Sequence, residues 1–282
     1  MPELPEVETT VLSLKRKVLN RAFVFMWTER PNKDMNRIIG KKVTDIKRYG
    51  KGIFIYLNSG EILFIHLKMT GHLLLGEWGY RKNNETGEKE WYSREKVMQE
   101  KKNGFLRYLF FLDNKKQMAL SDPRKFARVS VFTKEDADDY VKKLGPDPLL
   151  IKKEEFINLF LGKKRAIKPL LMDQQFLSGI GNIYASEVLF KAKIDPERKA
   201  NSLDKKEIGR IYEAIRKIIQ KSIKLKGDST SDYRLVTGKK GGYQDHHLVY
   251  NRKNLPCPAC GKKIKRTVVG GRGTYSCPQC QK

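Results

Sequence analysis

Apolar residues recur every three or four positions near the start of the chain, where Val7, Val11, Leu14 and Val18 form one stripe over residues 3–19. That spacing predicts an amphipathic opening helix. Glu3, Pro5 and Glu6 fall in its first turn, where carboxylates complement the helix dipole and proline loses nothing by lacking an N–H. The period then changes. From Ala22 to Phe132 short β-rich runs (AFVFMW, GIFIYL, EILFIHL, FLRYLFFL, FARVSVF) are broken by Gly, Asn and Asp, which predicts a two-layer antiparallel sandwich. Between Leu75 and Phe105 lies a polar stretch too long and too charged for a hairpin turn, and it reads as a mobile insertion at about 77–104. The acidic segment after Lys134, followed by GPDP, reads as an interdomain connection. Helical spacing returns at 204–225, where Ile208, Ile211, Tyr212, Ile215, Ile218, Ile219 and Ile223 share a stripe and either Ser202 or Asp204 supplies the cap. Residues 227–242 are a loop by composition.

A chain of 282 residues is long enough for two cores. Its 58 Lys and Arg against 32 acidic residues leave a net charge of +26, a surplus that must find anions or repel itself. Nucleic acid is the leading partner, and a solubility surplus or a structural ribosome-type binder is the rival reading. No run approaches the roughly 20 apolar residues of a membrane span, and no apolar stretch follows a basic one at the N-terminus. The expectation is a cytoplasmic, nucleoid-associated protein without a membrane partner.

All four cysteines, Cys257, Cys260, Cys277 and Cys280, lie near the C-terminus as CPAC and CPQC with sixteen residues between them. Two such knuckles present four thiolates to one tetrahedral Zn²⁺, with no open position for a catalytic water, so a single structural zinc is expected. Lys262, Lys263, Lys265, Arg266 and Arg272 give the intervening ribbon the charge to grip phosphates. A ribbon that only staples the C-terminus is the alternative.

The opening MPELPEVETT resembles the bacterial formamidopyrimidine-DNA glycosylase family, and YGKGIFIYL, HLKMTGHL, SDPRKFA, IKPLLMDQQFLSGIGNIYASE, GGYQDHHLVY and VVGGRGTYSCPQCQK match it in order. The resemblance implies an α+β fold. An N-terminal antiparallel β-sandwich with flanking helices would occupy 1–134, a linker 135–150, a helix-two-turns-helix domain with a lesion-capping loop 151–250, and a zinc β-ribbon finger 251–282. It also implies a monomer that excises oxidised purines from damaged double-stranded DNA and then nicks the strand. A glycosylase for oxidised pyrimidines and a non-catalytic damage binder are the competing readings, and leucine at position 4 together with Met69, Arg124 and Phe126 favours the purine branch.

Chemistry supports the resemblance at Pro2. Freed of Met1, its nitrogen is a secondary amine, partly unprotonated near neutrality and able to attack a sugar C1′. By resemblance Glu3 is the general acid, Glu6 a supporting acid, and Lys51 contacts the lesion and a flanking phosphate. Met69, Arg124 and Phe126 would fill the gap left by an extruded base. Asn182 and Arg272 would contact DNA phosphates, Lys168 matches a further DNA-contacting lysine, and Glu187 reads as structural. Read alone, Pro2 is a helix-start proline, Lys51 one lysine of many, and Met69 and Phe126 core residues of strands. The chain departs from the family at Lys226, Asp228 and Ser231 of the capping loop, and its insertion lacks the family histidines before the next strand.

Overall fold

The computed structural model describes residues 1–29, 33–82 and 89–282 and divides into two compact units, 1–141 with 226–242, and 142–225 with 243–282. The first unit opens with α1 (Leu4–Val18) and continues through β1 (Phe23–Thr28), β2 (Val43–Tyr49), β3 (Gly52–Leu57), β4 (Ile62–His66), β5 (His72–Gly76), β6 (Trp78–Lys82), β7 (Lys89–Ser93), β8 (Leu106–Leu112), β9 (Gln117–Ser121), β10 (Arg128–Phe132) and α2 (Lys134–Lys142). Two four-stranded antiparallel sheets form, ordered β1-β8-β9-β5 and β10-β4-β3-β2. Alternation along each strand sends Ile53, Ile55, Leu63 and Ile65 into one core with Leu73, Leu75, Phe110, Met118 and Leu120. The α1 stripe of Val7, Val11, Leu14 and Val18 buries in that core, which fixes the start of the chain on the sandwich.

Both outer faces are covered as well, which is why β3 and β4 read as unbroken apolar runs. Phe54, Phe64 and Phe132 pack against Ala137, Tyr140 and Val141, with Phe64 and Phe132 stacked at 4.4 Å between centroids. The segment expected as a plain connection therefore begins as a helix whose apolar side closes a sheet. On the other sheet Leu74, Leu109 and Ala119 are covered by Trp78, Met98 and Trp91. The stretch expected as a mobile insertion is thus built: β6 and β7 pair as a hairpin, and short 3-10 turns follow at Lys96–Gln99 and Lys101–Asn103. Its charges hid three large apolar side chains that anchor it. Residues 83–88 of that stretch lie outside the described residues.

Loop 226–242, grouped with the helical domain on sequence, packs in the first unit. Leu75 N–H donates to the Val236 carbonyl at 2.7 Å, and Val236 joins the sandwich core.

The second unit holds α3 (Lys153–Asn158), α4 (Ile167–Leu171), α5 (Asn182–Ala192), α6 (Lys205–Lys224) and a ribbon of β11 (Lys265–Val269) and β12 (Arg272–Ser276). Asp204 caps α6, accepting the Glu207 N–H at 2.7 Å. Ile208, Ile211, Ile215, Ile218 and Ile219 are buried along its stripe. The mixed helix and strand content is the α+β class expected. No helix among the described residues is long and apolar enough to cross a membrane.

Burial holds the imidazoles of His66 and His72 neutral, each pushed down to about 4 from the ordinary 6.5. The folded chain then takes up these protons later than the unfolded chain as pH falls. Their contribution is complete above pH 6.5 and is lost progressively toward 4. Thermal melts are expected to show a midpoint that drops across this window. A midpoint that holds steady there would show both rings to be charged in the folded protein.

Candidate active site

The first turn of α1 is a closed polar arrangement in a buried setting. Pro2, Glu3 and Glu6 are all buried, Glu3 at 2% and Glu6 at 1% exposure. Glu6 Oε2 accepts the Glu3 N–H at 2.8 Å, and Glu6 Oε1 accepts the Asp228 N–H at 2.8 Å. The Tyr233 hydroxyl donates to the Glu6 carbonyl at 3.1 Å. Glu6 therefore joins the helix start to the 226–233 loop through ordinary charge-assisted bonds. Two of the departures in that loop have a local account. Asp228 Oδ1 accepts the Thr230 N–H at 3.0 Å as an Asx turn, and Ser231 contributes its carbonyl, which any residue supplies. Lys226 takes a left-handed φ of 65°, a conformation that favours glycine.

Lys51 sits buried in the turn between β2 and β3, held beside α1 by Arg48, whose Nε donates to Glu8 at 2.6 Å. The YGKG turn needs both glycines. Gly50 adopts φ 55°, and a Cβ at Gly52 would fall 2.9 Å from the Phe64 ring.

Met69, Arg124 and Phe126 do not lie in strands or in the core. They occupy two turns and are exposed, Met69 at 40% and Phe126 at 51%, with the Arg124 guanidinium 4.6 Å from the centre of the Phe126 ring. The turns share one organiser that sequence reasoning missed. Fully buried Asp122 accepts the Ala127 N–H at 2.7 Å, the Arg124 N–H at 3.2 Å and the Thr70 hydroxyl. The residue pair Asp-Pro in SDPRKF was the available signal, since Asp commonly opens such a turn.

In the second unit Lys168, Asn182 and the ribbon come together. Lys168 is fully buried, and its Nζ donates to Asn182 Oδ1 at 2.6 Å, Thr274 Oγ1 at 2.8 Å and the Gly273 carbonyl at 3.1 Å. Asn182 Nδ2 also donates to Gly273, at 3.0 Å. The ribbon turn is Gly270-Gly271, both at positive φ, which suits a two-residue hairpin, and exposed Arg272 follows it. Asn182 begins α5, where backbone N–H groups lack intrahelical partners. Glu187 is fully buried and accepts the N–H groups of Leu248, Val249 and Tyr250 at 2.8, 2.9 and 2.8 Å, a structural task.

The sulfurs of Cys257, Cys260, Cys277 and Cys280 all lie within 4.8 Å of one another. Tetrahedral zinc with sulfur at about 2.3 Å sets its ligands about 3.8 Å apart. The Cys257–Cys280 and Cys260–Cys277 separations are 3.9 and 3.5 Å, so the residues fit such an ion. The neighbouring thiols, Cys260 first, together with burial push the Cys280 thiol up to about 12, as expected of sulfurs that ionise together only around a cation.

Comparison with known proteins agrees over the whole chain. The formamidopyrimidine-DNA glycosylase N-terminal domain matches residues 1–129, the formamidopyrimidine-DNA glycosylase H2TH domain 144–234, and the zinc finger found in FPG and IleRS 254–282. Formamidopyrimidine-DNA glycosylase of Pelotomaculum thermopropionicum is 36% identical, covering 100% of this chain and 99% of its own. That of Thermus thermophilus is 37% identical, covering 100% and 98%. The crystal structure of MutM (Fpg) from Thermus thermophilus superposes with a TM-score of 0.82 at 34% identity, over 99% of this chain and 98% of that one. Lactococcus lactis Fpg in complex with Fapy-dG-containing DNA gives 0.83 at 29% identity, over 99% and 100%.

Asp122→Ala removes the acceptor from two backbone N–H groups and one hydroxyl at once. A loss of about 3 kcal/mol in unfolding free energy is expected, with faster tryptic cleavage after Arg124 and Lys125. Denaturant titration and limited proteolysis check this. Unchanged cleavage would remove Asp122 as organiser of the exposed turns.

Proposed function

The chain belongs to the formamidopyrimidine-DNA glycosylase family, and from that premise we propose that it excises oxidised purines, 8-oxoguanine and formamidopyrimidines, from duplex DNA through a Schiff base on Pro2. The enzyme is a DNA glycosylase and abasic-site lyase, and what remains to be assigned is the work of each residue. The observation that carries the reading is the buried first turn of α1, in which Glu6 ties the Glu3 backbone to the Asp228 backbone at 2.8 Å each and so steadies the chain end that bears Pro2.

While Met1 is attached, the Pro2 nitrogen is a tertiary amide whose lone pair is delocalised. Removal of Met1 makes it a secondary amine. Its lone pair forms a bond to C1′ of the damaged nucleotide, the glycosidic bond breaks, and Glu3 supplies a proton to the opening sugar or the departing base. The resulting iminium draws electrons from C2′. Loss of a C2′ proton then expels the 3′ phosphate, and a second elimination expels the 5′ phosphate. Lys51 holds the lesion and a flanking phosphate, and Arg272 grips the phosphates around the extruded nucleotide. Phe126 and Met69 fill the vacated stack, while Arg124 bonds the orphaned partner base. Asn182 binds phosphate at the start of α5. Lys168 serves the same contact from inside, by fixing Asn182 and the backbone beside Arg272.

Cys257, Cys260, Cys277 and Cys280 would hold one zinc ion. With four protein thiolates it supplies rigidity to the ribbon and no reaction step. We assign the protein as a monomer of the cytoplasm and nucleoid.

An 8-oxoguanine duplex incubated with borohydride is expected to trap the protein covalently, with the DNA remnant on the Pro2 nitrogen by mass spectrometry. Protein retaining Met1 should trap nothing yet still bind the lesion. A crosslink on Lys51, or full cleavage by the Met1 form, would overturn the mechanism. Preferential trapping on thymine-glycol DNA would move the enzyme to the pyrimidine branch, and binding without any trapping would make it a damage binder. Metal analysis should find one zinc per chain. Cys277→Ser should lose it and most DNA affinity while the sandwich stays folded, and normal affinity in that variant would reduce the ribbon to a staple.

A further inference from the structure

The described part of the insertion and the loop at 226–242 meet in one polar seam within the first unit. Arg234 is the largest of the fully buried side chains, at 2% exposure. Its guanidinium forks onto the Glu100 carboxylate, Nε to Oε2 at 2.8 Å and the second nitrogen to Oε1. The remaining nitrogen donates to the carbonyls of Ser231 at 3.1 Å and Tyr233 at 2.8 Å. One cation therefore shapes the loop and ties it to the pair of 3-10 turns that carry Glu100. Lys102 Nζ reaches the Ser231 carbonyl at 3.0 Å and Asp232 at 3.1 Å. Fully buried Asn103 accepts the His72 Nε2–H at 3.0 Å through Oδ1, and its Nδ2 donates to the carbonyls of Val97 and Gly238 at 3.3 and 3.5 Å. The other side of the same loop rests on the first turn of α1, through Asp228 and Tyr233 on Glu6.

Arg234 is buried while the Glu100 side chain stays 40% exposed, so the pair is a weak source of stability, but a two-pronged Arg–carboxylate contact fixes angle as well as distance. Such a contact suits a loop that must hold one shape. We propose that Glu100 and Arg234 are positioning residues for base excision: through them the insertion holds the 228–238 segment in the shape that confines the damaged base during attack by Pro2. This rests on the proposed reading, in which that loop covers the base as the family resemblance implies. An abasic site presents no base to confine. The two halves of the reaction therefore depend on the clamp differently.

The test compares Glu100→Ala, Glu100→Gln and the double variant Glu100→Leu/Arg234→Met, the last removing both charges so that no buried cation is orphaned. Single-turnover excision of 8-oxoguanine should fall by about tenfold or more in Glu100→Ala and in the double variant. Glu100→Gln, which keeps acceptor and shape, should recover part of the rate. Cleavage and borohydride trapping of a preformed abasic duplex should stay at the wild-type level. Without DNA, amide hydrogen exchange at 228–238 should quicken in the two impaired variants while the core strands keep their protection. The proposal is overturned if the double variant excises at the wild-type rate, if excision and abasic cleavage fall together, or if exchange at 228–238 is unchanged. Failure of the wild-type protein to trap on abasic DNA would instead sink the Pro2 reading, and the exchange measurement would still decide the clamp.

Discussion

Both oxygens of Glu6 accept backbone N–H groups, one from Glu3 and one from Asp228, and the order of the chain start depends on that carboxylate. Chain termini fray unless something ties them, and a nucleophile placed at a terminus gains from proximity only when the terminus is still. The buried stripe of α1 provides a coarse anchor, since Val7, Val11, Leu14 and Val18 join the sandwich core. It leaves the residues before Leu4 undirected. Glu6 supplies the finer constraint, and it does so by borrowing a segment more than two hundred residues away in sequence. Arg234 and Glu100 hold a different part of the same loop, at Ser231 and Tyr233, so the Asp228 contact with the helix start does not run through them.

The same device recurs wherever the fold is irregular. A segment outside helices and sheets carries backbone groups that must find partners once they are buried, and a charged side chain serves several at once. Asp122 does this for the turn of Arg124 and Phe126, Glu187 for residues 248–250, and Lys168 for the ribbon beside Arg272. Each ion is desolvated, yet each is met by several hydrogen bonds, which is the condition under which a buried charge is tolerated. Exposed side chains such as Phe126 are thereby held on loops without a strand or helix beneath them.

This division explains what the sequence revealed and what it hid. Periodicity exposed α1 and α6 because a helix repeats its contact every three or four residues, and Cys-x-x-Cys spacing exposed the metal cluster because both ligand pairs are local. The insertion was misread because Trp78, Trp91 and Met98 are few among many charges, and a composition average weighs them equally with solvent-facing lysines. Asp122 and Arg234 were invisible as organisers, since their partners are backbone groups and side chains distant in sequence whose positions only the folded chain defines. Strand β2, VTDIKRY, escaped the β-rich runs for a related reason. It is an edge strand, and a bulge between Val43 and Asp45 sets its two buried residues, Val43 and Ile46, three apart among charged neighbours, so the period of two is lost. Pro2 and Glu3 were legible as chemistry only because the resemblance supplied the context; a proline and a glutamate at a helix start are ordinary otherwise.

The charge surplus calls for the same care. A net charge of +26 suggests many phosphate contacts, but Arg48, Lys168 and Arg234 are buried and face carboxylates, carbonyls and an amide oxygen within the fold. Only a cation that sits on a phosphate releases a counterion, so salt dependence counts such contacts and not total lysine and arginine. Arg272 is exposed at the tip of the ribbon, where a cation interacts through the ionic atmosphere. Lys168, a few residues away in space on Gly273, acts through geometry by holding that tip and Asn182 in place. Two basic positions in one constellation thus differ in kind, an exposed cation whose interactions salt weakens and a buried one whose work of holding the backbone is indifferent to salt.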